Sequence, residues 1–136
     1  MAIFNQQNQL LIQQRQSDKL DWANMWDLSA AGSALVGETT QVAGMRETQE
    51  ELGLTIDLTN VLPRLSLTFT AGFDDYYFIR LNETQPKITI QTEEVQAYRW
   101  VTESELFALI AEDKFIPYFF LKDLFALANS TGFSLT

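Results

Sequence analysis

A single uninterrupted helical segment limits the folds that are open to this sequence. It runs from Thr39 to Leu52, contains no proline and consists mainly of good helix formers, and Gly53 follows it where helices commonly end. Gly44 weakens the helix by about 1 kcal/mol relative to alanine. Short β-rich runs lie on both sides of the segment. This mixture of strands and helices indicates one α/β domain over residues 1–136.

The remaining predicted elements are shorter. Apolar or β-rich runs predict strands at Ala2–Phe4, Leu10–Ile12, Trp26–Ala31, Leu65–Thr70, Tyr76–Leu81, Lys87–Thr92 and Val95–Val101. We expect the first two to form a hairpin, and Ala71–Asp75 to be the turn of a second one. The capping box Thr102–Glu105 begins a helix that ends near Ala111. A last helix is expected at Ile116–Ala128, with Gly132 in a frayed end.

The composition restricts the chemistry more sharply than it restricts the fold. The 136 residues include neither cysteine nor histidine, so disulfides, zinc sites of the usual kind, thiol nucleophiles and imidazole bases are all excluded. Hydrophobic residues make up 46% of the chain, which is enough for a packed core and too much for a disordered protein. Any acid–base or metal chemistry must therefore depend on carboxylates, assisted by lysine, tyrosine or water.

The net charge of −9, from 18 acidic and 9 basic residues, bears on the choice of partner. So acidic a surface repels nucleic-acid phosphates and anionic lipids, and we expect neither a nucleic-acid nor a membrane partner. A small phosphorylated ligand remains compatible, because a bound divalent cation reverses the local field. Met1–Ile12 lacks the basic region of a signal peptide, and no apolar run approaches the roughly 20 residues of a membrane span. We therefore expect a cytoplasmic protein.

Three glutamates on the predicted helix are the main candidates for chemistry. Glu47, Glu50 and Glu51 are spaced i, i+3 and i+4, which places them on one helix face. Carboxylates this close repel one another, and a cation that bridges them removes the repulsion. Ligands that are all oxygen favour Mg²⁺ or Mn²⁺, and magnesium commonly completes its shell with water and substrate phosphates. Taken alone, however, such a triplet is more often an ordinary solvated face.

The residues before the helix strengthen the metal interpretation. A loop from Gly32 to Glu38 leads directly to the helix N-terminus, where backbone N–H groups and the helix dipole attract anions. Arg46 immediately precedes Glu47 and is a suitable partner for Glu38. A loop, a helix start that attracts phosphate and a face of carboxylates together predict a site for a phosphorylated ligand and a divalent cation.

This arrangement resembles the Nudix (MutT-like) hydrolase family. The family motif is a glycine, five residues, a glutamate, seven residues and then Arg-Glu-U-x-Glu-Glu-x-Gly-U, where U is a bulky aliphatic residue. Gly32, Glu38 and the segment Arg46–Leu54 match it at every polar and glycine position, and Thr48 is the single departure. The resemblance implies a Nudix-type α/β/α sandwich with a mixed central sheet and the family's loop and helix.

Further stretches are similar to the branch of the family related to isopentenyl-diphosphate isomerase. These stretches are Leu10–Arg15, Trp26–Gly32, Glu93–Val95 and Trp100–Val101. Relatives often carry an additional segment before the first strand, so we expect a shortened version, and the completeness of its substrate pocket is an open question. The sequence is also compatible with a homodimer.

The resemblance implies specific roles for the acidic residues. Glu47 and Glu51 would be the main ligands of Mg²⁺ or Mn²⁺, and Glu50 either a ligand or the base for the attacking water. The family often adds a backbone carbonyl from just before the first motif glycine, here that of Ala31. A carboxylate from a later segment frequently assists, and Glu94 is the candidate.

The other candidates position the site or contact the substrate. By the same resemblance, Arg46 would orient Glu47 or Glu51, Glu38 would anchor the loop through Arg46, and Glu93 is the alternative to Glu94. The candidates for contact with the substrate are Gly32, Glu38, Arg15 and Trp26. For the tryptophan, packing in the core is the more common alternative to stacking on a base or sugar.

Two groups of aromatic residues have competing interpretations. A pocket lining, a dimer surface or ordinary alternation in a half-buried hairpin would each explain Phe69, Phe73, Tyr76, Tyr77 and Phe78. Core packing of the last helix is the simplest explanation for Phe115, Tyr118, Phe119 and Phe120.

The predicted activity is hydrolysis of a diphosphate linkage in a small metabolite, such as a nucleoside di- or triphosphate or a nucleotide sugar, by water activated at a glutamate-bound metal. An isomerase acting on isopentenyl diphosphate is one alternative, but the chemistry of that branch uses a cysteine and its metal site a histidine, and this chain has neither. A ligand-binding module without catalysis is another, although such modules typically lack a motif glutamate and none is missing here. The sequence does not identify the substrate or the bond that is cut.

Overall fold

The computed structural model describes residues 1–130, and the frayed end predicted at Gly132 lies outside them. The central sheet consists of β1 (Ala2–Phe4), β2 (Leu10–Arg15), β3 (Trp26–Asp27), β6 (Phe78–Arg80) and β7 (Val95–Val101). A separate hairpin consists of β4 (Leu65–Phe69) and β5 (Gly72–Tyr76). The helical elements are α1 (Thr40–Leu52), α2 (Glu103–Ala111), a 3₁₀ turn (Leu121–Asp123) and α3 (Leu124–Asn129).

Strand β2 is the centre of the sheet. It pairs antiparallel with β7 along its whole length, from Leu10 opposite Val101 to Arg15 opposite Val95. It also pairs antiparallel with β1 and with β3. Strand β1 in turn pairs parallel with β6, which makes the sheet mixed. The predicted first hairpin, the strand at Val95–Val101 and the capping box that begins α2 are therefore confirmed.

Two hydrophobic cores lie on opposite faces of this sheet. Alternate residues of β1 and β2 enter different cores: Phe4 and Ile12 pack in the first, Ile3 and Leu11 in the second. Residues of α2 and α3 complete the first core, and Leu52 of α1 packs in the second. Because β1 and β2 are buried on both faces, their apolar residues form continuous runs. The result is the predicted α/β/α sandwich.

Helix α1 ends at Leu52 as the sequence predicts and begins one residue later than predicted, at Thr40, with Thr39 as its N-cap. The hydroxyl of Thr39 accepts a hydrogen bond of 3.2 Å from a backbone N–H of the first turn. Gly53 ends the helix in the left-handed region at φ 67°, and its N–H donates to the carbonyl of Gln49. Thr48, which departs from the family motif, is fully buried, and its hydroxyl donates to the carbonyl of Gly44 at 2.7 Å. The departure is tolerated because the buried hydroxyl has a partner within its own helix.

The second hairpin differs from its prediction. Its turn consists only of residues 70–71, so most of the predicted turn Ala71–Asp75 is strand, and β6 belongs to the central sheet. The aspartates that suggested a turn are compatible with a strand because hydroxyl groups surround them. Asp75 accepts hydrogen bonds from Thr40 at 2.7 Å and from Ser66 at 2.6 Å.

The strand predicted at Lys87–Thr92 is wrong. This segment passes the C-terminus of α1, where the N–H groups of Thr89 and Gln91 donate to the carbonyls of Leu52 and Glu51 at 2.8 and 3.0 Å. Those carbonyls belong to the last turn of the helix and need partners from outside it. Ile88 and Ile90 pack against the second core. The alternation of apolar and polar residues that suggested a strand therefore arises from packing on a helix and not from pairing in a sheet.

The strand predicted at Trp26–Ala31 is limited to Trp26–Asp27. Beyond this point, the side chain of Ser29 takes the place of ladder hydrogen bonds. Its hydroxyl donates to the carbonyl of Leu11 at 2.6 Å and accepts from the N–H of Ile3 at 2.9 Å. The buried chain is therefore satisfied without regular pairing as it turns toward the loop before α1.

The helix predicted at Ile116–Ala128 begins only at Leu121, as a 3₁₀ turn followed by α3. Pro117 disfavours a helical conformation of the residue before it. Ile116 is instead extended beside β3, where its N–H donates to the carbonyl of Trp26 at 2.9 Å. Among residues 1–130, no helix has both the length and the apolar character needed to cross a membrane.

Candidate active site

The loop before α1 approaches the helix so closely that a side chain would not fit between them. A Cβ atom added to Gly32 would lie 2.2 Å from Cδ and 2.3 Å from Oε1 of Glu47. The carboxylate of Glu47 therefore occupies the space beside the glycine backbone. This contact places the first of the predicted metal ligands at the start of the loop.

Glu51, one turn further along α1, is held at the same part of the loop. Its carboxylate accepts a hydrogen bond of 2.5 Å from the side-chain amide of Gln13 in β2, and another from the backbone N–H of Ala31. Burial raises the pKa of Glu51 to about 7; the hydrogen bond from Gln13 opposes this rise and the charge of Glu47 adds to it. Two interacting carboxylates thus lie beside Ala31 and Gly32.

Arg46 connects the loop to the helix. Its Nε and Nη2 donate to the two carboxylate oxygens of Glu38 at 2.8 and 3.0 Å, and Nη2 also donates to the carbonyl of Ser33 at 3.2 Å. Its Nη1 donates to Glu47 at 2.8 Å and to Glu50 at 3.3 Å. The guanidinium lowers the pKa of Glu38. The expected pairing of Arg46 with Glu38 and with Glu47 is confirmed.

The three helix glutamates do not converge on one point. Glu47 is bound to Arg46 and Glu51 to Gln13, while Glu50 is exposed. Across the part of the chain that the structure describes, no group of three acidic side chains is arranged to hold a metal ion. The donor chemistry nevertheless fits a hard divalent cation. Two carboxylates flank the same loop residues, and burial, together with the charge of Glu47, raises the pKa of Glu51.

A cleft of about 530 Å³ lies beside these residues, a volume typical of a small-molecule site. One wall is the loop and α1, including Gly32, Glu47 and Thr40. The opposite wall is the β4–β5 hairpin, which contributes Phe69, Phe73, Asp74, Asp75 and Tyr76. Leu28 and Tyr118 also line the cleft. The candidate metal ligand Glu47 therefore shares a cavity with a wall of aromatic and acidic side chains.

Side-chain hydrogen bonds join the two walls. The hydroxyl of Thr40, the first residue of α1, donates to Asp75 of the hairpin at 2.7 Å. The hydroxyl of Tyr77 lies 2.6 Å from that of Thr40. Since Thr40 gives its proton to Asp75, Tyr77 is the donor of this second bond. The network fixes the hairpin relative to the start of the helix.

Asp27 is a buried carboxylate for which the sequence predicted no role. It accepts hydrogen bonds of 2.7 Å from the hydroxyl of Tyr118 and from the N–H of Leu28. Burial raises the pKa of Asp27, and its charge contributes to the raised pKa of Glu51. The available signal was an acidic residue between Trp26 and Leu28 in an otherwise apolar run. Buried carboxylates in such runs usually have a specific partner.

Gln13 was also missed, although it makes the shortest contact to a helix glutamate. Its side-chain amide donates both to Glu51 and, at 2.9 Å, to the carbonyl of Ser29. In the sequence it is only a polar residue that follows the apolar run Leu10–Ile12. Gln13 is buried because β3 and β7 both pair with the end of β2 that carries it.

Arg15 and Trp26, both expected to contact substrate, do not line the cleft. Trp26 is buried in the first core, and the guanidinium carbon of Arg99 lies 5.6 Å from its ring centroid. Core packing, the more common alternative, is therefore the correct interpretation of this residue. The Nε of Arg15 donates to the carbonyl of Asp21 at 3.2 Å.

Among the described residues, Glu94 does not join the helix glutamates in a group of three possible metal ligands. Its carboxylate forms an ion pair with Lys19, and Glu93 is exposed. The segment is nevertheless attached to the site, because the N–H of Glu94 donates to the carbonyl of Gln91 and that residue donates to the carbonyl of Glu51. Its role as an additional metal ligand remains a prediction.

The aromatic residues divide between the cleft and the core. Those of the hairpin region that line the cleft are Phe69, Phe73, Tyr76 and Tyr77. Phe78, Phe115 and Phe120 are buried in the first core. Tyr118 packs against the first core as predicted and also lines the cleft, whereas the assignment of Phe119 to the core was incorrect, since this residue is 78% exposed. The missing helical turn at Pro117 changes which side chains face inward there.

Comparison with known proteins agrees with this geometry. The chain matches the NUDIX domain over residues 1–123. It is 56% identical over 131 residues to an uncharacterised Nudix hydrolase of Listeria innocua, which covers 96% of this chain and 78% of the relative. A crystal structure from Deinococcus radiodurans has a TM-score of 0.73 at 27% identity and covers 95% of this chain and 80% of that one. An isopentenyl-diphosphate Delta-isomerase of Salmonella heidelberg is 36% identical over 107 residues, which are 72% of this chain and 57% of that protein.

The chain therefore belongs to the Nudix hydrolase family. The loop Gly32–Glu38 and the glutamates of α1 correspond to the family motif on which the resemblance was first based. The mixed sheet between helices is the fold of this family, as expected.

Proposed function

We propose that this chain hydrolyses the diphosphate linkage of a small metabolite in the presence of Mg²⁺ or Mn²⁺. The main support is the position of Glu47 and Glu51, whose carboxylates lie together beside Ala31 and Gly32. Glu47 also lines a cleft large enough for a metabolite. The acidic surface, with a net charge of −9, supports a small-molecule substrate and a cytoplasmic role over binding to nucleic acid or membrane.

The carboxylates of Glu47 and Glu51 would hold the cation, with Glu50, the carbonyl of Ala31 and Glu94 as further ligands. A divalent ion supplies positive charge that offsets the diphosphate and acidifies the attacking water. Oxygen ligands of this kind suit magnesium and manganese.

Protein groups hold the carboxylates before any cation arrives. The amide of Gln13 fixes one oxygen of Glu51, and the guanidinium of Arg46 fixes one oxygen of Glu47. Arg46 also holds Glu38 and the carbonyl of Ser33, so the same side chain sets the position of the loop. We expect the loop and the start of α1 to orient the diphosphate through backbone N–H groups.

In the reaction, a water oxygen bonds to one phosphorus while the bridging P–O bond breaks, and the bridging oxygen leaves with the electron pair. Since the chain has no histidine, a carboxylate has to accept the proton of the water. Glu50 is exposed and lies near the guanidinium of Arg46. In the cation-free site burial raises the pKa of Glu51 to about 7; a cation bound to this carboxylate would lower its pKa, and Glu50 is then the candidate base.

A hydrolysis panel tests this proposal. Nucleoside di- and triphosphates, nucleotide sugars and dinucleotides would be incubated with the protein and Mg²⁺ or Mn²⁺, and the products identified by mass spectrometry. We expect metal-dependent cleavage of at least one compound, and loss of turnover by orders of magnitude in Glu51→Gln. The matched control is Glu83→Gln, at an exposed position outside the cleft. A well-folded protein that binds but cleaves none of the compounds would indicate a ligand-binding module instead.

Isomerisation of isopentenyl diphosphate is the second candidate function. Its support is the 36% identity to the Salmonella isomerase, of which the matched segment covers 57%. The absence of cysteine and histidine from all 136 residues removes the groups expected for that chemistry. We therefore expect no conversion of isopentenyl diphosphate to its isomer, which an assay of the two isomers by chromatography would check.

A further inference from the structure

The wall of the cleft opposite Glu47 combines aromatic rings with acidic side chains. One face of the β4–β5 hairpin carries Phe69, Asp74 and Tyr76, since side chains alternate along each strand. Phe69 is 54% exposed. Its ring lies over Gly72 of the neighbouring strand, and a Cβ atom added to Gly72 would lie 3.8 Å from the ring. The hairpin thus offers a large ring to whatever enters the cleft.

Two tyrosine rings continue this surface. The rings of Tyr76 and Tyr118 both line the cleft, with centroids 6.4 Å apart and planes at 81° to each other. Phe120 supports Tyr76 from the core side, with a centroid distance of 4.7 Å. The two rings are in edge-to-face contact and form the two adjoining sides of an aromatic corner. Aromatic cages bind organic cations through the negative faces of their rings.

The charges around the rings have the sign that a cation needs. The hydroxyl of Tyr118 donates to Asp27 at 2.7 Å, and that of Tyr76 lies 3.5 Å from Asp74. Hydrogen bonds to carboxylates increase the electron density of a phenol ring. Asp74 is exposed at the cleft, so its charge remains available to a ligand.

No lysine or arginine of the described residues lines the cleft, but Met1 does, and its buried N-terminal ammonium donates to the carbonyl of Ala30 at 2.8 Å and acts on Asp27 and Glu51. Three carboxylates line it, those of Glu47, Asp74 and Asp75. The N-terminal ammonium and the guanidinium of Arg15 both act on Asp27, and Arg15, which lies outside the lining, also acts on Tyr118. A divalent cation near Glu47 would offset one diphosphate, whereas the charged side chains that the hairpin contributes to the lining, Asp74 and Asp75, are acidic and repel a second anionic group.

We propose that the diphosphate substrate carries an organic cation, aromatic or quaternary, at the end remote from the cleaved bond, and that Tyr76, Tyr118, Phe69 and Asp74 bind it. The inference rests on the proposed function, because it assumes that the diphosphate lies at Glu47. The cleft of about 530 Å³ accommodates a ligand that extends from Glu47 to the hairpin. A substrate with a further phosphate or carboxylate at that end is disfavoured by Asp74 and Asp75.

A pair of isosteric substrates tests the charge directly. The first is thiamine diphosphate, whose thiazolium ring is positively charged, and the second is its uncharged analogue with a thiophene ring in place of thiazolium. In both, hydrolysis would release phosphate and leave the monophosphate. We expect kcat/KM to be about tenfold higher for the cationic compound, in line with cation–π attraction in a partly desolvated site. Equal values for the two compounds would overturn the inference.

Two variants test whether the hairpin is the source of the preference for the cationic compound. Asp74→Asn removes one charge at constant size and should reduce the preference for the cationic compound several-fold, mainly through KM. Asp18→Asn removes the same charge at an exposed position outside the cleft and should leave the preference unchanged. A preference that is unaffected by Asp74→Asn, or equally reduced by Asp18→Asn, would contradict the assignment of the hairpin.

Failure of the inference can be told apart from failure of the proposed function. Cleavage of other diphosphates with no preference for a cationic end would overturn the cation site and leave the hydrolase proposal intact. If no diphosphate is cleaved, binding of thiamine itself, which lacks phosphate, is measured by NMR titration without metal. Saturable shifts in the tyrosine resonances that weaken in Asp74→Asn would support the cation site independently, and the absence of binding would refute it.

Discussion

The carboxylate of Glu47 fills the space in which a side chain at position 32 would have to lie, only 2.2 Å from an added Cβ. The φ angle of Gly32 is not in the left-handed region, so its backbone conformation does not require a glycine. A glycine is needed here because any side chain would overlap the carboxylate of Glu47. The loop glycine and the helix glutamate of the family motif are therefore two parts of one contact.

Gly32→Ala should displace the carboxylate of Glu47 while leaving the fold intact, because the clash involves the end of a flexible side chain. Misplacement of a reacting group by about 1 Å can cost about 100-fold in rate, and we expect a loss of kcat/KM of that order. Steady-state kinetics and thermal unfolding check this together. Ser33→Ala is the control in the same loop. Activity close to that of the natural protein in Gly32→Ala would show that Glu47 can move without consequence.

Glu51→Gln should stabilise the metal-free protein at high pH although it abolishes turnover. The folded-state pKa of Glu51, about 7, lies above its ordinary value of 4.5, so the folded state binds a proton between these values more readily than the unfolded state. Its contribution to stability is fully present below pH 4.5 and is lost as the pH rises through about 7. At pH 8 we expect the variant to have a free energy of unfolding higher by about 1–3 kcal/mol.

Urea denaturation at pH 4.5 and pH 8, with chelator and with Mg²⁺, measures this effect. The difference between the proteins should nearly vanish at pH 4.5. Mg²⁺ should stabilise the natural protein at pH 8 more than the variant, because a ligand of the folded state adds to its stability. Glu83→Gln is the control for loss of an exposed charge. Equal stability of Glu51→Gln and the natural protein at pH 8 would mean that Glu51 is not held in a desolvated site.

Arg46→Lys should loosen the loop although the charge is kept. The guanidinium binds both oxygens of Glu38 and the carbonyl of Ser33 at once, and an ammonium group does not reproduce this planar geometry. We expect faster amide hydrogen exchange in residues 33–38 and a reduction of kcat/KM by about tenfold. Arg64→Lys, whose guanidinium contacts the carbonyl of Ser130, is the control. Unchanged exchange in the loop would argue against anchoring by Arg46.

Gly53→Ala should destabilise the fold by about 1–2 kcal/mol, because an alanine at φ 67° is strained. The added Cβ would also lie 2.9 Å from Cβ and 3.1 Å from the carbonyl oxygen of Thr89. Gly44→Ala in the same helix is the comparison, since its new contacts at 3.1 and 3.2 Å are with the ends of side chains and its helix propensity improves. Chemical denaturation of the two variants measures the difference. A smaller loss in Gly53→Ala than in Gly44→Ala would contradict this explanation of the helix end.

Local signals were sufficient for the parts of the fold that depend on local chemistry. The stop at Gly53 and the capping box at Thr102–Glu105 each act over a single helical turn, and both lie where the sequence places them. The pairing of Arg46 with Glu38 was also predictable, because the motif spacing joins the loop to the helix that follows it.

The parts that could not be predicted depend on contacts between distant segments. Residues 87–92 have the pattern of a strand, but they pack on the end of α1. Gln13 and Asp27 carry no motif, and their importance comes from burial beside Glu51 and Tyr118. Similarly, Tyr118 lies in the segment after Pro117 that is not yet helical, and it lines the cleft.

Within the described residues, the β4–β5 hairpin pairs with no strand of the central sheet. It is attached through packing of its inner side chains and through the hydroxyl of Thr40. Exchange of Phe69, Phe73 and Asp74, which line the cleft and take part in neither attachment, would therefore leave the scaffold of the glutamates undisturbed. Directed evolution confined to this one ribbon could retarget the enzyme to a different metabolite without rebuilding its reactive centre.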